Sequence, residues 1–245
     1  MSTKHQWLVR PSSVGDLMTG GRKKDELWGE TALTVIQEAA LFHKYGIEPG
    51  EIINAKIEKG NINERQNIEM ASRVLGWIDV DPDAPKIRLV NDFIIGEPDV
   101  NSSILADIKT SWSANTFPWF KNPQNKSYFF QMQCYMWLTG KQQAELVYCL
   151  SNHPPHIIAA EVKRLTYYYA DRPFLFQDAN SIDELWTLAE RKAESVVMKE
   201  AIVDHIPEER RVKRFIIERD EEAIQSIQER ITQARELFDK YMNEI

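Results

Sequence analysis

Gly96-Glu97-Pro98-Asp99-Val100-Asn101-Ser102-Ser103-Ile104-Leu105-Ala106-Asp107-Ile108-Lys109 is the stretch on which the reading of this chain turns. From Ile104 onward the two-residue period of a strand points Ile104, Ala106 and Ile108 to one side and Leu105, Asp107 and Lys109 to the other. An Asp and a Lys on an otherwise apolar strand cost free energy if that face is buried and they stay unpaired. Asp99 lies just before the strand, after Pro98, whose ring fixes its own φ. Two carboxylates and an ammonium converging there suggest a divalent-metal site. Carboxylate oxygens hold Mg²⁺ or Mn²⁺, and a nearby lysine stabilises a water nucleophile or the charge on a phosphate.

Working outward, the spacing predicts a helix over Asn61–Leu75, with Glu64, Ile68, Ala71 and Leu75 on one stripe. Asn63 and Gln66 form a capping-box pattern at its start. Glu64 heads a stripe that faces the core, so its carboxylate needs a partner, although the helix dipole also favours a Glu in a first turn. A second helix is predicted over Ser127–Thr139, stopped by Gly140. Gln131 and Tyr135 lie one turn apart on it and face the same way. Tyr135 sits among Phe129, Phe130, Met132, Met136 and Trp137 and reads equally well as core, whereas a buried Gln131 amide needs partners.

The remaining elements follow in chain order. A short helix near residues 8–21 is capped by Ser12 or Ser13. A longer one runs from about Lys24 to Tyr45 and ends at Gly46. Trp77–Asp81 and Ile87–Ile95 read as extended, and Thr110–Lys126 as a loop. Ala144–Leu150 is a strand. Past the turn at Asn152-His153-Pro154-Pro155, Ile157–Tyr167 is expected as its antiparallel partner. Ser181 and Glu184 open a helix to about Ile202. Arg210–Ile217 is a linking segment with strand character, and Asp220 caps a last helix. The order implies an α/β core with a mixed sheet, the terminal helices lying outside it.

The chain has 245 residues, enough for one large domain or one with appendages. No apolar run can span a bilayer, and Met1–Gln6 is no apolar signal segment, so a cytoplasmic protein is expected. Cys134 and Cys149 fit reduced core residues, and two cysteines cannot alone hold an iron–sulfur cluster or structural zinc. The net charge of −7 argues against a general nucleic-acid binder. Basic islands nevertheless occur at Arg22-Lys23-Lys24, Lys56 with Lys59, Lys121 with Lys126, and Arg210 to Arg214. Each reads first as a solvated surface; together they are expected to line one groove, with acids on the C-terminal helices.

Glu64 on a helix, Gly96-x-x-Asp99, Asp107-x-Lys109 and Gln131-x-x-x-Tyr135, in this order, resemble the PD-(D/E)XK nuclease superfamily. The branch they are most similar to is that of lambda-type (YqaJ-like) phage exonucleases and the nuclease domains of bacterial recombination helicases. The likeness covers about Ser12 to Tyr167. It implies a restriction-endonuclease-like core over residues 1–180, a mixed central sheet flanked by helices, and a C-terminal helical extension over 181–245 packed on or beside it. By this resemblance Glu64, Asp99, Asp107 and the carbonyl of Ile108 are metal ligands and Lys109 is the catalytic lysine. Gln131 and Tyr135 would contact DNA or the ligands' partners. Arg10, Ser12 and Ser13 resemble an N-terminal serine motif that lies near DNA phosphates in some members.

The activity implied is Mg²⁺- or Mn²⁺-dependent hydrolysis of DNA from duplex ends, with two ions roughly 4 Å apart clamping the attacking and leaving oxygens. The lambda-type likeness favours 5′ to 3′ polarity, a role in phage or prophage recombination or repair, a single-strand annealing partner, a homo-oligomeric ring and a bacterial host cytoplasm. Two alternatives share the fold: a single-strand or structure-specific endonuclease, and a catalytically silent DNA-binding module. Four intact site residues weigh against the silent module.

Overall fold

In a computed structural model, residues 7–23, 26–50, 54–120 and 125–245 are described. Met1–Gln6 and the basic residues Lys24 and Lys121 lie outside them. The described elements run α1 (Pro11–Leu17), α2 (Glu30–Tyr45), α3 (Ala55–Leu75), β1 (Leu89–Val90), β2 (Ile95–Gly96), β3 (Val100–Asn101), β4 (Leu105–Thr110), α4 (Lys126–Thr139), β5 (Gln143–Cys149), α5 (Pro155–Ala170), α6 (Ile182–Ala201), β6 (Val212–Glu218) and α7 (Glu221–Glu244). The fold is α/β with a mixed sheet, ordered β3-β4-β5-β6. The β4–β5 pair is parallel and both outer pairs are antiparallel. Strands β1 and β2 form a separate antiparallel ribbon.

The alternation in β4 sorts its residues between two helices. Ala106 and Ile108 pack with Ile68, Met70 and Ala71 of α3. Leu105 packs on the other side with Met132, Tyr135 and Met136 of α4. Asp107 and Lys109 therefore face the α4 side. Strand β3 is two residues long and pairs only as far as Ala106. Past that point the outer edge of β4 has no strand beside it among the described residues, and its backbone groups must be satisfied otherwise.

Several expectations need correction. Helix α3 begins six residues before Asn61, and its cap is Asn54, whose side chain accepts from the N–H groups of Lys56 and Ile57, not the Asn63/Gln66 box. Neither Ser12 nor Ser13 caps α1; Arg10 is the N-cap residue and makes no side-chain cap bond. Trp77–Asp81 forms no strand. Ile157–Tyr167 is helical, within α5, and packs on α6 rather than on β5. The antiparallel partner of β5 is β6, paired from Gln143↔Glu218 to Cys149↔Val212.

Residues 181–245 thus supply a strand of the central sheet as well as helices. Helix α7 is not outside the core either. Its Ile227, Ile231, Ala234 and Phe238 are buried with Trp7, Val14, Ile36 and Cys134. Each large side chain of that row contributes roughly 1.5–3 kcal/mol by leaving water. Arg230 is buried on the same helix and donates to the carbonyls of Leu17, Thr19 and Leu27, which fixes α7 to the end of α1.

Candidate active site

The uncovered edge of β4 is where the predicted residues meet. The N–H of Ile108 finds no strand partner and donates instead to Asp99 Oδ2 at 2.8 Å. A strand residue directs its N–H and C=O to the same side, so the Ile108 carbonyl also faces the Asp99 side of β4. Asp99 stands just ahead of β3, and its other oxygen, Oδ1, accepts from Lys86 Nζ at 2.8 Å. The same ammonium lies 2.7 Å from Glu64 Oε1. Lys86 thus bridges a carboxylate from α3 and one from the strand edge.

On the α4 side of β4, Lys109 Nζ lies 2.6 Å from Asp107 Oδ2. That ammonium is the contact made by Asp107 Oδ2, a buried oxygen with no other partner among the described residues. Gln131 spans the pair. Its Nε2 donates to Asp107 Oδ1 at 3.0 Å, and its Oε1 accepts from Lys109 Nζ at 3.1 Å. Lys109 also lies over the Tyr128 ring, 4.4 Å from its centroid. Burial raises the Asp107 carboxyl, the Lys109 ammonium pulls it back, and Asp99 raises it again, leaving it near 6. Tyr135 is buried; its hydroxyl donates to the Glu97 carbonyl at 3.4 Å and accepts from Gln131 Nε2. Burial, with Asp107 second, pushes that phenol up.

Glu97 pairs through its side chain with Arg88 at 2.7 Å. A cavity of about 530 Å³ opens beside Gly96, Glu97 and Tyr135, and Arg10, Ser12, Ser13 and Arg88 line it. Gly96 is a close approach: a Cβ there would stand 2.6 Å from Pro11 Cγ and 3.1 Å from Tyr135 Cε1.

The structure therefore brings Glu64, Asp99, Asp107, Lys109, Gln131 and Tyr135 to one edge of the sheet. Arg10, Ser12 and Ser13 line the neighbouring cavity. Among the described residues, three members of the basic islands are not free charge that could line a groove. Lys59 is buried, donating to the carbonyls of Ser111 and Trp112. Arg211 and Arg214 are paired with Asp204 and Glu145. Lys86 escaped the sequence reading. It follows Asp83-Ala84-Pro85 in an irregular segment, where nothing in the local pattern marks a site residue.

The donor chemistry fits a hard cation. The buried Asp107 carboxylate, the carboxylates of Glu64 and Asp99 and a backbone carbonyl form an all-oxygen set. An ammonium already sits between two of the carboxylates, where a cation is stabilised. Among the described residues, no three acidic, histidine or cysteine side chains form a ready-made cage.

No family model matches the chain, and no curated protein does. Solved structures do match. A phage related exonuclease from Haemophilus somnus 129PT aligns with a TM-score of 0.69 and 26% identity, over 98% of this chain and 97% of that one. The chain has the PD-(D/E)XK fold of the lambda-type exonuclease branch. An alkaline exonuclease from Laribacter hongkongensis (LHK-Exo) shares this fold at a TM-score of 0.56 and 16% identity, over 97% of this chain and 90% of that one. The same enzyme in complex with dAMP matches equally well, at a TM-score of 0.56 and 17% identity. These likenesses run through β6 and α7, beyond the Ser12–Tyr167 stretch that carries the motifs.

Proposed function

We propose that the chain is a metal-dependent deoxyribonuclease that hydrolyses DNA from duplex ends. The observation that carries this reading is the meeting of Glu64, Asp99, Asp107 and Lys109 at one strand edge. Support comes from the likeness to the Haemophilus exonuclease over nearly the whole of both chains.

Phosphodiester hydrolysis needs an activated water and positive charge where the phosphoryl oxygens gain negative charge. Mg²⁺ or Mn²⁺, as one ion or two, would supply Lewis-acid polarisation of the phosphate. Glu64, Asp99, Asp107 and the Ile108 carbonyl are the groups that would hold it. Lys109 carries the ammonium that steadies the attacking water or the phosphate charge. Gln131 fixes Lys109 and Asp107 relative to each other, and Tyr135 holds Gln131 against the Glu97 backbone. The cavity with Arg10, Ser12, Ser13 and Arg88 lies beside this centre and offers cationic and hydroxyl groups to a DNA phosphate.

The lambda-type likeness supports 5′ to 3′ degradation, service to recombination or repair with an annealing partner, a ring-shaped homo-oligomer and a cytoplasmic setting. No helix among the described residues is long and apolar enough to cross a membrane. End-labelled linear duplex incubated with Mg²⁺ should be degraded progressively, EDTA should stop the reaction, and covalently closed circular duplex should persist. Cutting of the circle would replace the exonuclease reading by the endonuclease one.

A further inference from the structure

Lys86 is not placed by chance. Its segment is pinned upstream, where Arg65, the neighbour of Glu64 on α3, makes a two-pronged contact with both carboxylate oxygens of Asp83. Asp81 closes the turn there, accepting from the N–H groups of Asp83 and Ala84. Downstream, Arg88 is tied to Glu97, and β1 pairs with β2. Between these two pins the Lys86 side chain reaches Glu64 and Asp99 together, and it remains about one-third exposed, at 34%. Asp99 Oδ2 is already engaged by the Ile108 N–H, so Lys86 holds the oxygen of Asp99 that would otherwise be open.

We propose that Lys86 is a positioning residue that holds the Glu64–Asp99 half of the metal site by standing in for the cation, and that metal binding displaces it. This rests on the metal-dependent reading above. Carboxylate oxygens approach Mg²⁺ to about 2.0–2.1 Å, so an ion cannot share Glu64 Oε1 and Asp99 Oδ1 with an ammonium at hydrogen-bond distance. Without the lysine, two carboxylates facing one centre would repel and separate. With it, they stay at a spacing a cation can take over. The exposed stem gives the displaced ammonium a path to solvent or to a substrate phosphate.

The test is calorimetric titration of metal-stripped, DNA-free protein with MnCl₂, for wild type, Lys86→Met and Lys86→Arg, with thermal melts in EDTA alongside. Lys86→Met should bind Mn²⁺ about tenfold more tightly, since a like charge no longer competes, and should melt lower in EDTA. Lys86→Arg, which keeps a bridging cation, should stay close to wild type in both. A purely structural or DNA-contacting lysine would leave Mn²⁺ affinity unchanged or weaken it. Equal or weaker binding by Lys86→Met, or Lys86→Arg behaving like Lys86→Met, overturns the proposal while leaving the metal reading intact. Folded proteins that all fail to bind Mn²⁺ overturn the metal reading, and the proposal with it.

Discussion

The Asp107–Lys109 pair makes a quantitative prediction through a double-mutant cycle. Asp107 is almost fully buried, at 3% exposed; the Lys109 ammonium lies 2.6 Å from it and the Gln131 amide donates to it. Lys109→Met leaves that carboxylate with the amide alone, and breaking a buried pair in this way costs about 3–5 kcal/mol. Asp107→Asn costs less, roughly 1 kcal/mol, because the Lys109 ammonium is about one-fifth exposed, at 21%, and can turn to water. The double variant removes both charges and should cost only about 1 kcal/mol relative to wild type, a coupling of roughly 3–5 kcal/mol. Urea unfolding in EDTA at pH 7.5 measures it. The sign with pH is also fixed. The Asp107 carboxyl is raised from 3.8 to about 6, so the fold binds its proton more tightly than the unfolded chain does. Its contribution is fully present below 3.8 and is lost as pH rises through about 6, so Lys109→Met should recover on acidification. Effects of the two single changes that simply add, within about 0.5 kcal/mol, would refute the geometry on which the site is built.

Three further outcomes follow from neighbouring contacts. Gln131→Leu removes the bridge between Asp107 and Lys109 and should slow DNA hydrolysis about 10²-fold with DNA affinity little changed, read from single-turnover rates and a binding titration. His153 is buried beside Lys59 and Trp112, and burial followed by the Lys59 charge lowers it from 6.5 to about 4. Its native state resists protonation, so stability is complete above about 6.5 and falls by up to about 3 kcal/mol as pH drops to 4; His153→Gln should flatten that slope in urea titrations. Gly96→Ala would drive a methyl to 2.6 Å from Pro11 and against Tyr135, costing about 1–3 kcal/mol and measurable as a lowered Tm.

How far the sequence reveals this molecule depends on how local each signal is. The alternation of β4 and the turn spacing of Gln131 and Tyr135 are properties of single segments, so they are readable directly, and so is the αL stop at Gly46. The strand partner of β5 is not local. Ile157, Ile158, Val162 and the tyrosines near 168 favour extended structure, yet Pro155 at the first helical position and packing on α6 settle α5 as a helix. The partner comes from Val212–Glu218, whose inside–outside alternation identifies it only once the sheet exists. The long buried polar row of α3 was likewise hidden. Lys59, Asn63 and Asn67 reach the ends of β4 and β5 and bond to Ser111, Ser151 and Thr110. A lysine in such a row looks like surface charge until its carbonyl partners are seen. Lys86 belongs to the same class, since its role comes from two carboxylates brought to it by other elements.

The most direct measurement is the rate of nucleotide release from linear duplex DNA as Mg²⁺ is raised, for wild type, Asp99→Ala and Lys109→Ala. A saturating Mg²⁺ dependence is predicted for wild type, with both variants slowed by about 10³ or more. Undiminished release in EDTA, or by either variant, would contradict a hydrolytic centre at this strand edge.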